Sequence, residues 1–317
     1  MRVLVTGGAG FIGSHVVEAY LAAGHTVAVL DNFSSGSLTH LEGLDLLVVP
    51  EDITDARAVN DAVRAFRPEV INHHAAQLSV SVSDRQPLLD AKTNVLGTLN
   101  VLEAARTHGV KRVIFASSGG TVYGEASQTP TPEDAPLAPL SPYGISKMTG
   151  EHYLRFYQRR YGMVGITLRY GNVYGPRQNP HGEAGVVAIF MDALQQGRSP
   201  VIHGDGEQRK DFVYVQDVVT ANLLALEAEC SSAYNVGGGE ATSINQLFKA
   251  VCDLRALSAK PVREAPRSGD VRVSHLDLTR IGRDWGWYPQ WDLKRGVQAT
   301  WSVRVATARG ATSFSVS

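Results

Sequence analysis

Short apolar runs alternate with longer amphipathic stretches through the first 175 residues. The runs "RVLVTG" (2–7), "TVAVLD" (26–31), "LDLLVVPED" (44–52), "EVINHHAA" (69–76), "KRVIFASS" (111–118) and "GITLRYGN" (165–172) are rich in Val, Ile and Leu. Their near-continuous apolarity predicts strands covered on both faces. Segments 12–23, 55–65, 92–108 and 145–161 carry helical periodicity. Strands alternating with helices predict β-α-β units, right-handed crossovers and a doubly wound parallel sheet, hence an α/β fold.

The pattern changes near residue 175, where "YGPRQNPHGEAG" (174–185) reads as a polar loop. Mixed, shorter elements follow: helices 186–196, 217–228, 243–252 and 277–284, and strands 199–203, 233–236 and 261–264. These predict a smaller α/β lobe over 176–302, with room for part of this chain to return to the first domain, 1–175. The small, polar stretch 303–317 reads as a disordered tail.

Charge and cysteine content narrow the function. The formal net charge is −1, which gives no footprint of a nucleic-acid or membrane surface. No apolar run reaches membrane-spanning length. The strand-like "RVLV" directly after Met1 leaves no signal peptide, so a cytoplasmic location is expected. Cys230 and Cys252 stand on unrelated segments, which excludes a disulfide framework. His73 and His74 read as a polar break at a strand end, because adjacent strand residues point apart. His181 and Glu183 lack a third ligand, and no metal is expected. Trp285, Trp287, Trp291 and Trp301 read as packing for the second lobe.

"TGGAGFIG" (6–13) closes the first strand and opens the first helix, with Gly7, Gly10 and Gly13 in G-x-x-G-x-x-G spacing. Such a loop lets the backbone turn tightly and approach a pyrophosphate, with helix N–H groups toward its charge. The sheet is therefore of Rossmann type. Asp31 ends the second strand, 21 residues beyond Gly10, where a carboxylate can accept from both ribose hydroxyls and repel a 2′-phosphate. No arginine follows directly, which favours NAD over NADP. Asp52 is placed for the adenine edge, and Ala75, Ala76 and Gln77 for the other half of the cofactor.

"SPYGISK" (141–147) puts Tyr143 one helical turn ahead of Lys147. The pair can be a solvated helix face or a proton-transfer device in which the cation favours phenolate. With a nicotinamide-type domain in front of it, the chain resembles the extended short-chain dehydrogenase/reductase superfamily, nearest its UDP-glucose (UDP-galactose) 4-epimerases. "TGGAGFIG", "DNFSSG", "NHHAAQLSVSVS", "NVLGT", "ASSGGTVYG", "SPYGISK", "LRYGNVYGPRQNPHGEAGVVAIF", "GDGEQRKDFVYVQDV" and "APRSGDV" occur in that family's order, over about residues 1–302.

The resemblance implies an epimerase with Tyr143 as base and Lys147 on the nicotinamide ribose. NAD takes hydride from a UDP-sugar, a 4-keto sugar turns over, and hydride returns to the opposite face. It extends the cofactor set to Phe11, Ile12, Asn32, Ser34, Ser35, Gly36, Ile53, Asn94, Ser117 and Tyr170. One departure stands out: the usual Ser/Thr three residues before "VYG" is Gly119 here, which leaves Ser118 or Thr121 to supply the hydroxyl. For the substrate it implies Asn172 and Arg267 at the phosphates and Asp270 near the uridine ribose. "PVIH", with Val201 and His203, would lie at the uracil, beside Val186 and Val187. Either Arg209 or Lys210 can supply the nucleotide contact, and Arg177 can be structural or bind substrate. UDP-glucuronate and UDP-N-acetylhexosamine 4-epimerases are close alternatives, and a non-catalytic dinucleotide sensor a distant one. As in that family, helices 92–108 and 145–161 are expected to pair across a twofold axis into a homodimer.

Overall fold

The computed structural model describes residues 1–180, 185–254, 260–266 and 271–313, with side chains through residue 306. Its strands are β1 (Arg2–Thr6), β2 (Thr26–Leu30), β3 (Leu47–Val49), β4 (Val70–His73), β5 (Arg112–Ser118), β6 (Val164–Tyr170), β7 (Asn172–Tyr174), β8 (Val201–His203), β9 (Arg209–Tyr214), β10 (Ser232–Val236), β11 (Ala241–Ser243) and β12 (Val262–Glu264). Seven form one parallel sheet in the order β3-β2-β1-β4-β5-β6-β10. The chain winds outward from β1 to β3, then resumes on the other side of β1 with β4. That reversal leaves a crevice at the carboxyl ends of β1 and β4, the standard ligand position in such sheets.

Strand residues alternate between two cores, as a period of two requires. Val3 and Val5 face one, with Val16, Val17 and Ile114; Leu4 faces the other, with Ala28, Leu30, Ile71 and Phe115. The helix Pro142–Tyr161 starts on a Ser141 cap whose side chain accepts from the Gly144 N–H, has Pro142 in its first turn, and stops at Gly162 in left-handed backbone (φ 72°).

The second lobe holds a three-stranded sheet, β11-β9-β7, and the pair β12-β8. Its core gathers Phe190, Met191, Ile202, Phe212, Leu247 and Val297, with Trp291 and Trp301 packed against them. The division at residue 175 is not clean. Helix Val215–Glu227 and β10 return to the first sheet, where β10 pairs along β6. Trp285 and Trp287 follow them: both pack on the first-domain core, and the Trp287 indole donates to the Asp217 carbonyl at 3.1 Å. Sequence reading assigns all four tryptophans to the second lobe, and two belong to the first. The last helix, Leu293–Ser313, also runs into the stretch read as a disordered tail, and residues 314–317 lie outside the described residues.

Candidate active site

At the sheet's switch point lies a cavity of about 930 Å³, lined from both lobes. One wall is the glycine loop. Gly7 has φ +70°, and a Cβ there would sit 2.6 Å from the Ala75 nitrogen. At Gly13 a Cβ would lie 2.2 Å from the Gly7 carbonyl oxygen. Only glycine lets these backbones approach so closely. Helix Phe11–Ala22 opens without a side-chain cap, so the first-turn N–H groups of Phe11, Ile12 and Gly13 stand at the cavity wall without one.

Asp31 is 7% exposed. Its carboxylate accepts from the Ala9 N–H at 2.9 Å and the Phe33 N–H at 2.8 Å, which locks the loop to the end of β2. Burial raises its carboxyl above the usual carboxylate range, and the Phe33 and Ala9 N–H groups offset only part of that rise. Asn32, Ser34, Ser35, Asp52 and Ile53 continue this wall, and Asn32 donates to Asp52 at 2.8 Å. A cradle that a methyl group would fill, a carboxylate at the end of β2 and an uncapped helix start fit a dinucleotide such as NAD.

Tyr143 and Lys147 line the same cavity, 8% and 4% exposed. The Lys147 ammonium lies 5.8 Å from the centre of the Tyr143 ring and donates to the Ala116 carbonyl at 2.9 Å. Burial pulls its pKa down to about 8, against the opposing pull of Asp90 and Glu151. The pair is therefore an enclosed one, where charge is felt strongly, and not a solvated helix face.

Ala75, Ala76, Ser117, Ser118, Thr121, Tyr170, Asn172, Val186, Val201, His203 and Lys210 are also at the wall. Several expected residues are not. Gly36 stands behind the glycine loop, where a Cβ would meet the Ala9 backbone at 2.7 Å. Gln77 and Asn94 are occupied with each other: the Gln77 N–H donates to Asn94 at 2.8 Å, and Asn94 donates to the Gln77 carbonyl at 2.9 Å. Both also donate to buried Asp90. Gly119 faces the core, since a Cβ there would lie 2.7 Å from Leu276. Val187 is core. Arg177 turns back to the first helix, donating to Ser14 at 3.1 Å and pairing with Glu18 at 2.5 Å. Arg209 reaches the Ala241 carbonyl instead. Arg267, Asp270, His181 and Glu183 lie outside the described residues.

Sequence reasoning gives no site role to His74, Gln178, Gln208, Ser79, Val80, Ser81, Asp84 and Arg85, all of which contribute to the wall. His74 stacks on Tyr170 with 6.1 Å between ring centres. Burial, then the neighbouring Lys147 charge, takes both His73 and His74 down to about 3, so both are neutral at pH 7. Most of these wall residues fall inside the quoted family motifs, which are the signal that could have found them; no chemistry of their own marks them, and the fold brings them to the wall.

Residues 3–237 match the family described as "NAD dependent epimerase/dehydratase family". The chain is 46% identical over 305 residues to the UDP-glucose 4-epimerase of Mycolicibacterium smegmatis, covering 95% of this chain and 97% of that one. It superposes with TM-score 0.95 on the Thermotoga maritima UDP-glucose 4-epimerase solved with UDP-glucose, at 47% identity over 97% of this chain and all of the other. The Thermus thermophilus UDP-glucose 4-epimerase complex with NAD gives TM-score 0.90 at 44% identity, covering 95% and 98%. With the glycine cradle, Asp31 and the enclosed Tyr143–Lys147 pair on one cavity, these likenesses place the chain in the NAD-dependent epimerase/dehydratase family.

Proposed function

We propose that this protein is a UDP-sugar 4-epimerase interconverting UDP-glucose and UDP-galactose. The observation that carries the reading is one cavity holding the glycine cradle, Tyr143 with Lys147, and the second-lobe residues Asn172, His203 and Lys210. NAD, when bound, supplies the hydride acceptor that also returns the hydride.

The chain's own residues do the rest. Tyr143 Oη takes the proton of the sugar's 4-hydroxyl as the ketone forms, and gives it back on reduction. The Lys147 ammonium, fixed by the Ala116 carbonyl, favours the phenolate. Ser118 fits the missing hydroxyl best. The Ser117 hydroxyl is committed to Glu151 at 2.5 Å, Thr121 Oγ1 leans to the Ser118 carbonyl at 3.4 Å, and Gly119 faces Leu276. Lys210 and Arg209 each donate to a backbone carbonyl, Lys210 to Val271 at 2.7 Å and Arg209 to Ala241 at 3.2 Å, but Lys210 lines the wall and Arg209 does not, which makes Lys210 the better nucleotide contact. Asn172 and, by the family pattern, Arg267 and Asp270 hold the UDP end while the sugar turns.

We further propose a cytoplasmic homodimer. Among the described residues no helix is long and apolar enough to cross a membrane. Leu96, Ile145, Phe156 and Tyr161 leave large apolar side chains exposed on the two helical stretches expected to pair.

The test is incubation with UDP-galactose, UDP-glucuronate or UDP-N-acetylglucosamine, with products separated by chromatography. UDP-glucose from UDP-galactose is expected, and conversion of only one of the other two would move the assignment to that sugar. Tyr143→Phe is expected to lower kcat by roughly 10²–10⁴-fold with NAD still bound. Wild-type turnover by that variant would remove Tyr143 as the base.

A further inference from the structure

Behind the cavity wall lies an ion pair whose two residues do not themselves line it. Glu151, one turn beyond Lys147, and Arg169 on β6 are 4% and 2% exposed. Arg169 forks onto the carboxylate: Nε donates to Oε1 at 3.0 Å and to Oε2 at 3.1 Å, and Nη2 to Oε2 at 2.6 Å. Its remaining nitrogen donates to the Tyr123 hydroxyl at 2.8 Å and the Glu133 carbonyl at 2.9 Å. Glu151 also accepts from Ser117, the β5 residue next to the one whose carbonyl holds Lys147.

A buried pair of this kind is poor glue. Taking two charges out of water offsets most of their attraction, and apolar side chains of equal volume often serve as well or better. Its placement suggests a different use. Lys147 and Glu151 leave the same face of one helix and grip consecutive residues of one strand.

We propose that Glu151, fork-paired to Arg169, is a positioning residue that holds the Lys147 ammonium charged and in place beneath the reacting centre. The groups facing Lys147 are few. Asp90 comes from the short helix Pro87–Asp90, Glu151 and Tyr143 from its own helix, His73 from the end of β4, His74 from the residue after it, and the Phe115 ring and Ala116 carbonyl from β5. The histidines stay neutral across the working range, so Asp90 and Glu151 are the two anions that oppose desolvation of the ammonium.

The inference rests on Lys147 serving the reaction proposed above, but its test needs no turnover. Full-length protein labelled with ¹³C-lysine is titrated by NMR, the Lys147 signal being the one lost in Lys147→Met. Glu151→Gln keeps the length and the contact with Ser117 and removes the charge, so the Lys147 midpoint is expected to fall by about one pH unit. Because that variant strands the guanidinium, the double variant Glu151→Gln/Arg169→Met is measured beside it; it removes both charges and is expected to fold and to shift the same way. A midpoint that stays in place in a folded variant, with only a lower melting temperature, assigns the pair a purely structural role and overturns the proposal. If UDP-galactose is turned over, the alkaline fall of kcat moves to lower pH in the variants with KM little changed. An alkaline limb that stays put while the midpoint moves also overturns it.

Discussion

Lys147 shows how far a single residue departs from its ordinary behaviour once the fold encloses it. Its pKa of about 8 lies below the usual lysine value of 10.5, with burial as the main cause. A base lowered in the folded state makes the unfolded chain the stronger proton binder between those two values. Its cost to stability is therefore full below about pH 8 and fades as pH rises toward 10.5. That cost is about 3 kcal/mol, from 1.36 kcal/mol per pH unit. In dinucleotide-free protein, Lys147→Met is thus expected to raise the melting temperature at pH 7 and to gain little at pH 10.5, while turnover is lost. Calorimetry at the two pH values checks it, and a variant less stable than wild type at pH 7 would sink the argument. The tyrosine–lysine pair was legible because one-turn spacing is written in the chain. Asp90 and Glu151 were not, since their bearing on Lys147 depends on what packs where. Ser118 and Thr121 stand equal in the sequence, and the proposal of Ser118 rests on Thr121 Oγ1 leaning to the Ser118 carbonyl, a contact no spacing predicts.

At the scale of elements, the buried strands and long helices were legible to within a few residues, because apolar runs and helical periodicity report burial directly. β9 and β11 were not. β9 begins "RKD", and β11 is three residues long; each is specified by its partners and not by its own pattern. The helix expected at 92–108 is α-helical only over Gly97–Thr107; Pro87–Asp90 and a wider turn of helix over Ala91–Leu96 lead into it and seat Asn94 and Asp90 against Gln77. The glycine loop is the element whose sequence and geometry agree most closely. Gly13→Ala forces a Cβ against the Gly7 carbonyl, a backbone atom that cannot swing aside. The expected result is a loss of about 1–3 kcal/mol in stability, together with loss of co-purifying NAD. Chromatography of the denatured protein measures the dinucleotide; wild-type NAD content in this variant would show that the close approach is dispensable.

Across the whole molecule, alternation predicted the doubly wound sheet but could not say where the chain would return to it. Helix Val215–Glu227 and β10 read like the elements around them, and only pairing along β6 reveals their place. The exposed apolar side chains on the two helical stretches are another whole-molecule property, visible only once the inner face is known. Phe156 is 51% exposed and Leu96 55%. If they meet a second copy, Phe156→Glu with Leu96→Glu is expected to halve the mass found by light scattering; an unchanged mass would place the contact elsewhere or nowhere.

The return of β10 has a consequence for the life of the chain. As a ribosome releases residues in order, β6 emerges as an open border of the sheet, its hydrogen-bonding groups unclaimed until Val236 has been made. The nucleotide-binding half cannot finish without a segment encoded inside the other half. Gene fragments cut between the lobes would thus yield two incomplete bodies, and any widening of the cleft must bend chain that crosses it more than once.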